Sequence, residues 1–253
     1  MIINHEGFVR ILDDSSCNDI VKRLDNLRDF WKTIKPHPPM WTLGATSYRD
    51  AKNGINVYHK IKTLENKVLL ENFSDVYEKM IHRLSKYIGD VELEKDLALP
   101  GFHIIGDAKT ISNYMKLKVP VNYLDAIHKD DLYKMHMNML SNKYRLVESE
   151  KIISITLSIK LPEHGSGLCI WDKGLLEFSE DKDFEKQVLK SELYQDYELG
   201  NPVVIKYKEG SAFCFSGKSF HQIAPVTQVH PGDRRITMQA HGIVCDGAWR
   251  LFF

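Results

Sequence analysis

Several things are scarce in this sequence. Only four cysteines, Cys17, Cys169, Cys214 and Cys245, are scattered over 253 residues, and no C-x-x-C occurs. That spacing argues against a disulfide framework or a zinc knuckle and fits reduced thiols in a cytoplasmic protein. Net charge is missing too, with 34 Lys and Arg against 34 Asp and Glu. A dedicated nucleic-acid binder needs a basic surplus to displace condensed counterions, so nucleic acid is not an expected partner. No apolar run approaches the roughly 20 residues that cross a bilayer. The opening MIINHEGFVR has neither a basic nor an apolar leader region, so neither a membrane partner nor a secretory signal is expected. Internal repeats, low-complexity tracts and a clear interdomain linker are likewise absent. With 43% hydrophobic and 27% charged residues, the chain reads as one folded domain over 1–253.

The hydrophobic periodicity divides the chain in two. Residues 1–98 read as a helical layer. Ile20, Leu24, Leu27 and Trp31 repeat at helical spacing behind Ser16 as a cap, and the pattern stops at Lys35-Pro36. KPHPPMWTLGATSYRD then reads as an irregular crossing segment. A second helix, about 65–88, carries Leu69, Phe73, Val76, Met80, Leu84 and Tyr87 as its buried stripe. From residue 99 the period changes to two. FHIIG, NYMKLKV, KIISITLSIKL, GLCIW, PVVIKYK, SAFCFSG and RRITMQAHGIV read as strands between glycine-rich turns. The predicted class is mainly β with flanking helices: a sandwich or jelly roll. The charged stretch 173–201 is too long for a hairpin connection and reads either as a solvated excursion or as a lid over a barrel mouth.

Chemistry is to be sought among the 11 histidines. His128-Lys129-Asp130 is an H-x-D, whose two side chains share one face of an extended segment and can bind one divalent metal. By itself such a pairing is expected by chance. The residues downstream carry the weight. His221 comes 93 positions later, just beyond the strand SAFCFSG, and Arg235-Ile236-Thr237 opens the last long strand 14 positions beyond that. A ferrous ion held by two imidazoles and a carboxylate keeps an open face. A 2-oxo acid can chelate part of it and leave one position for dioxygen. The far carboxylate of that acid then needs a cation, which a planar guanidinium serves with two parallel hydrogen bonds. Thr237 faces the same way as Arg235, and Arg234 is the alternative on the opposite face.

These residues resemble the iron(II)/2-oxoglutarate-dependent dioxygenases. The likeness is carried by HKD at 128–130, FHQ around His221, RIT at 235–237, the strand-turn-strand LPEHGSGLCIWD and the closing WRLFF. It covers roughly residues 100–253. It implies a double-stranded β-helix (a cupin-like jelly roll), with His128, Asp130 and His221 as iron ligands and Arg235 holding the 2-oxoglutarate C5 carboxylate. It implies oxidative decarboxylation to succinate and hydrogen abstraction from a small molecule, an amino acid or amino-acid-derived metabolite. Asp130 stands where halogenating members carry a small residue, so hydroxylation, desaturation or ring closure is expected. Tyr114, 14 residues before His128, could reach the keto acid or be a plain strand tyrosine. Trp41, Tyr48 and His136 are candidate substrate contacts, each with core packing as the alternative. His103 and His164 read as structural and as solvent-facing. A cupin-like metal- or ligand-binding protein without redox turnover is the second reading, and Arg235 is the residue such a barrel does not need.

Overall fold

The computed structural model describes residues 6–36, 39–46, 50, 54–106, 127–130, 132–179, 181–190, 199–224, 230 and 232–253. Strands supply most of the regular structure of the second half. Over the described residues the strands are β1 (Gly7–Arg10), β2 (Lys32–Pro36), β3 (Pro39–Leu43), β4 (Val91–Leu93), β5 (Gly101–Ile105) and β6 (Val147–Lys160). After them come β7 (Gly167–Ile170), β8 (Val203–Lys206), β9 (Ser211–Ser216), β10 (His221–Ile223), β11 (Arg235–Cys245) and β12 (Ala248–Phe252). The helices are α1 (Asp14–Asn26), α2 (Ile55–Ile88), α3 (Met137–Lys143) and α4 (Lys182–Lys190).

The major sheet runs β1-β9-β6-β11-β5-β3-β2, with β12 pairing the far end of β11 and β4 lying parallel to β12. The minor sheet is β10-β7-β8. Alternation divides the major sheet into two chemically different faces. On β6, Ile153, Ile155, Leu157 and Ile159 join Ile236, Met238 and Ala240 of β11 in one cluster with Ile20 and Leu24 of α1 and Leu69, Phe73, Val76, Met80 and Leu84 of α2. The residues between them, Ser154, Thr156 and Ser158 on β6 and Arg235, Thr237, Gln239 and His241 on β11, point the other way, toward the minor sheet. Leu168 and Ile170 of β7 and Val203 and Ile205 of β8 meet Phe213 and Phe215 of β9 in a second cluster. One strand pair thus feeds an apolar core on one side and a polar interior on the other.

Several boundaries differ from the sequence reading. Asp13, not Ser16, caps α1; its carboxylate accepts the Ser16 amide at 2.7 Å. The helix ends at Asn26 instead of continuing to Lys35, because the chain turns through a 3-10 segment and Lys32–Pro36 pairs with Pro39–Leu43. The segment expected to be irregular therefore contributes its residues 35–36 and 39–43 to the paired strands β2 and β3, and the expected helical layer 1–98 also contributes β1 to β4. Proline is tolerated here because Pro36 lies on the edge strand β2 and Pro39 is the first residue of β3. Helix α2 begins ten residues earlier than expected and has one non-helical residue, Phe73 (φ −137°), whose ring lies 4.7 Å from that of Phe102. Strand NYMKLKV lies outside the described residues. The four cysteines are buried and free. Among the described residues no helix is long and apolar enough to cross a membrane.

Of the 173–201 stretch, α4 packs on the outer face of the minor sheet, with Val188 against Cys169, Val204 and Ala224. Lys206 reaches Asp181 at 2.7 Å, and Leu175 and Phe178 lean on the β7–β8–β9 cluster.

One glycine is fixed by close approach. A Cβ at Gly101 would lie 2.5 Å from ring carbons of the buried Phe253 and 2.7 Å from the Leu43 carbonyl oxygen. Neither can yield cheaply, so Gly101→Ala is expected to cost about 1–3 kcal/mol by overpacking. Urea denaturation checks this as a lowered midpoint at unchanged slope.

Candidate metal centre

Two segments far apart in sequence are joined by a reciprocal backbone pair. The His128 amide donates to the His221 carbonyl at 3.1 Å, and the His221 amide donates to the His128 carbonyl at 3.0 Å. This antiparallel bridge sets the two imidazole centroids 4.4 Å apart. Asp130 is two residues on and returns to the same face; its amide donates to the Gly217 carbonyl at 2.8 Å. Gly217 is needed there, since a Cβ would meet Ile152 at 2.9 Å and the Ser154 hydroxyl at 3.1 Å. As a result one ligand atom each from His128, Asp130 and His221 lies within 4.8 Å of the other two. His221 Nε2 is 3.4 Å from Asp130 Oδ2, and His128 Nε2 is 3.7 Å from Asp130 Oδ1.

Protonation at this cluster suits a cation. His221 Nδ1 lies 3.0 Å from the Ser219 carbonyl, an acceptor only, so Nδ1 carries the hydrogen and Nε2 keeps its lone pair. Burial pushes the His221 imidazole below its usual range and outweighs the pull of Asp130, which leaves a neutral ligand. Burial pushes the Asp130 carboxyl up, but His241, His221, the Ser154 hydroxyl and His128 together hold it below the ordinary carboxylate range. The Ser154 hydroxyl donates to Oδ2 at 2.5 Å and fixes the carboxylate's orientation. Two imidazoles and one oriented carboxylate, with His128 half-exposed on the open side, fit a facial divalent-metal site.

A cavity of about 350 Å³ lies between the two sheets, and all three residues line it. So does Arg235, which is 1% exposed. A charged group that deep needs polar company. Its Nε donates to Ser166 Oγ at 3.1 Å and its Nη1 to Thr237 Oγ1 at 3.3 Å, while the guanidinium carbon sits 5.9 Å from the Tyr207 ring centroid. Thr237 also accepts from Gln239 Nε2 at 3.0 Å, and Gln239 Oε1 accepts from Thr156 at 3.0 Å. The neighbouring Arg234 is committed elsewhere, to a two-pronged pair with Asp25 at 3.0 Å.

Other sequence candidates separate. Trp41 lies on the opposite face of β3 from the cavity, its ring 5.9 Å from Trp31; Met40, one residue away, lines the cavity instead. His136 is buried between Tyr58 and Phe252, with ring centroids at 5.4 and 5.8 Å, and is not among the cavity residues. Tyr48 and Tyr114 lie outside the described residues. His103, read as structural, lines the cavity, 5.1 Å from the Phe253 ring. His241 and Gln239 escaped the sequence reading. His241 Nδ1 is buried, has no hydrogen-bond partner among the described residues, and stands 3.7 Å from Asp130 Oδ2. The period of two from Arg235 through Thr237 would have found both.

No family model matches the sequence, and no curated protein matches it. Solved structures do. An N-substituted L-amino acid dioxygenase from Burkholderia ambifaria AMMD, in complex with α-ketoglutarate, superposes with a TM-score of 0.52 at 15% identity, over 97% of this chain and 85% of that one. A second structure of an N-substituted L-amino acid dioxygenase from Burkholderia ambifaria AMMD gives 0.50 at 16% identity over the same shares. The chain therefore shares its fold with these dioxygenases.

Proposed function

We propose that this protein is an iron(II)/2-oxoglutarate-dependent oxygenase that hydroxylates, desaturates or cyclises a small molecule, an amino acid or amino-acid-derived metabolite, in the cytoplasm. The observation that carries this reading is the shared cavity: a His-Asp-His cluster and a buried guanidinium line one space between two sheets. On this reading those sheets are the walls of a double-stranded β-helix, and residues 1–253 are one folded unit. The fold likeness to a dioxygenase with bound α-ketoglutarate supports the same assignment.

Iron(II) would be held by His128, Asp130 and His221, and with 2-oxoglutarate and dioxygen it supplies the oxidising power. The chain's own residues do the rest. Arg235 grips the far carboxylate of the keto acid through paired N–H donors, with Thr237 adding a hydroxyl and Ser166 and Tyr207 holding the guanidinium in place. Ser154 keeps the Asp130 carboxylate from rotating, and the Ser219 carbonyl keeps His221 in the ligating tautomer. Met40, Leu168, Phe215, Ile223 and Phe253 give the cavity an apolar wall that limits water around the reacting carbon. Its volume suits a metabolite and not a folded protein segment.

The test is succinate formation by purified protein given iron(II), ascorbate, 2-oxoglutarate and oxygen. Slow uncoupled turnover is expected even without the prime substrate; its absence under every condition favours the non-redox metal-binding barrel. Arg235→Gln is expected to raise the KM for 2-oxoglutarate about 10- to 150-fold, the loss of a charge-assisted pair of roughly 1.5–3 kcal/mol. The KM for the prime substrate should barely move. Equal effects on both would place Arg235 outside the keto-acid site.

A further inference from the structure

Away from the cavity, a second group of donors converges where the β6–β7 turn meets the segment entering β11. One ligand atom each from Glu163, His164 and His230 lies within 4.8 Å of the other two. The two imidazole centroids are 5.1 Å apart, and His164 Nε2 is 3.8 Å from Glu163 Oε1. This meeting is built by a fourth residue. The Asp233 carboxylate accepts the Glu163 amide at 3.3 Å on one oxygen and the His230 amide at 2.7 Å on the other. The Asp233 amide in turn donates to the His230 carbonyl at 3.1 Å. A carboxylate that ties two segments by their backbones leaves the three side chains free to face one another. His230 Nε2 is shielded from solvent and has no hydrogen-bond partner among the described residues. An unmet buried polar nitrogen of that kind is unfavourable, and a cation removes the cost.

We propose that Glu163, His164 and His230 form a second divalent-metal site, for zinc(II), that clamps the β6–β7 turn to the segment entering β11. Two imidazoles and one carboxylate are borderline donors that favour a late first-row ion over magnesium or calcium. Glu163 and His164 are exposed enough for the ion to enter from solvent and keep water in its remaining positions. The clamp has a structural consequence. The turn continues through Gly165 to Ser166, which holds a left-handed φ of 63° while its hydroxyl accepts from Arg235. Arg235 itself is five residues beyond His230. One ion therefore braces both segments that fix the buried guanidinium. This inference stands apart from the oxygenase reading, because it needs no activity at His128, Asp130 and His221.

Equilibrium dialysis of the full chain against zinc(II), followed by metal analysis, tests it. Wild type is expected to bind two equivalents, and H221A and H230N one each. The double variant H221A/H230N should bind none. H164N and E163Q reach the same site from the other segment, and each should weaken one equivalent by at least the ~10-fold that losing even an outer-sphere partner costs. If the triad binds no zinc, wild type holds one equivalent, and its loss in H164N and H230N still supports the second site. Unchanged zinc content and affinity in H164N, H230N and E163Q overturns it.

Discussion

Replacing Asp130 with alanine is expected to abolish the proposed turnover, to remove the metal-dependent part of the protein's stability, and to leave the metal-free chain less stable than wild type. Both losses have one cause. Asp130 is a buried carboxylate, 7% exposed, held anionic by His241, His221, the Ser154 hydroxyl and His128. Without a cation those partners already outweigh the desolvation of the carboxylate, so deleting it removes a favourable interaction from the metal-free chain as well. With a cation it is the one anionic ligand, and its loss weakens binding beyond the ~10- to 100-fold of an outer-sphere change. A saturating metal that stabilises wild type by about 2.7 kcal/mol at one hundred times its Kd then gives the variant little. Thermal unfolding with and without manganese(II), in the H230N background so that the second proposed site does not contribute, reads the difference, and succinate assays read the turnover. A variant that keeps both its metal-induced Tm shift and its activity would remove Asp130 from the ligand set.

How far the site was legible in the sequence can be argued residue by residue. The order His128, Asp130, His221, Arg235 was readable because each sits in a local pattern that declares its geometry: an H-x-D on one face, a histidine just past a strand, an arginine opening an alternating run. Alternation also decided between Arg235 and Arg234, and the pair of Arg234 with Asp25 gives the rejected residue its own occupation. What stayed hidden depends on register or distant contact. Trp41 and Met40 differ by one residue, and only the pairing of β3 with β5, which sets Met40 opposite Ile105, decides which one faces the cavity. Strands β4 and β10 have three residues each, too few to show any period. The prolines at 36 and 39 looked like breaks because the edge position of β2 and the starting point of β3 are properties of the assembled sheet. His241 approaches Asp130 across 111 residues of chain, a contact no local signal encodes.

His136 shows the same limit from the opposite side, because a histidine that could have served the substrate instead makes stability depend on pH. It is 2% exposed, ends a 3-10 turn and packs against Tyr58 and Phe252. Tyr58 cannot move aside, since its hydroxyl accepts the Ala98 amide at 2.9 Å. Burial, assisted by the nearby charge of His59, pushes the imidazole down to about 4. In the unfolded chain it titrates near 6.5, so between these values the unfolded state binds more protons than the folded one. Stability therefore rises with pH through this window and is lost as pH falls from about 6.5 to about 4, by about 3 kcal/mol at 1.36 kcal/mol per unit. His136→Leu keeps the apolar volume and deletes the proton site. Urea unfolding of both proteins across that range should show wild type losing about 3 kcal/mol more than the variant, the difference cancelling the carboxylates common to both. Parallel curves would mean that the ring accepts its proton without leaving the folded state, and that the space beside Tyr58 holds a charge.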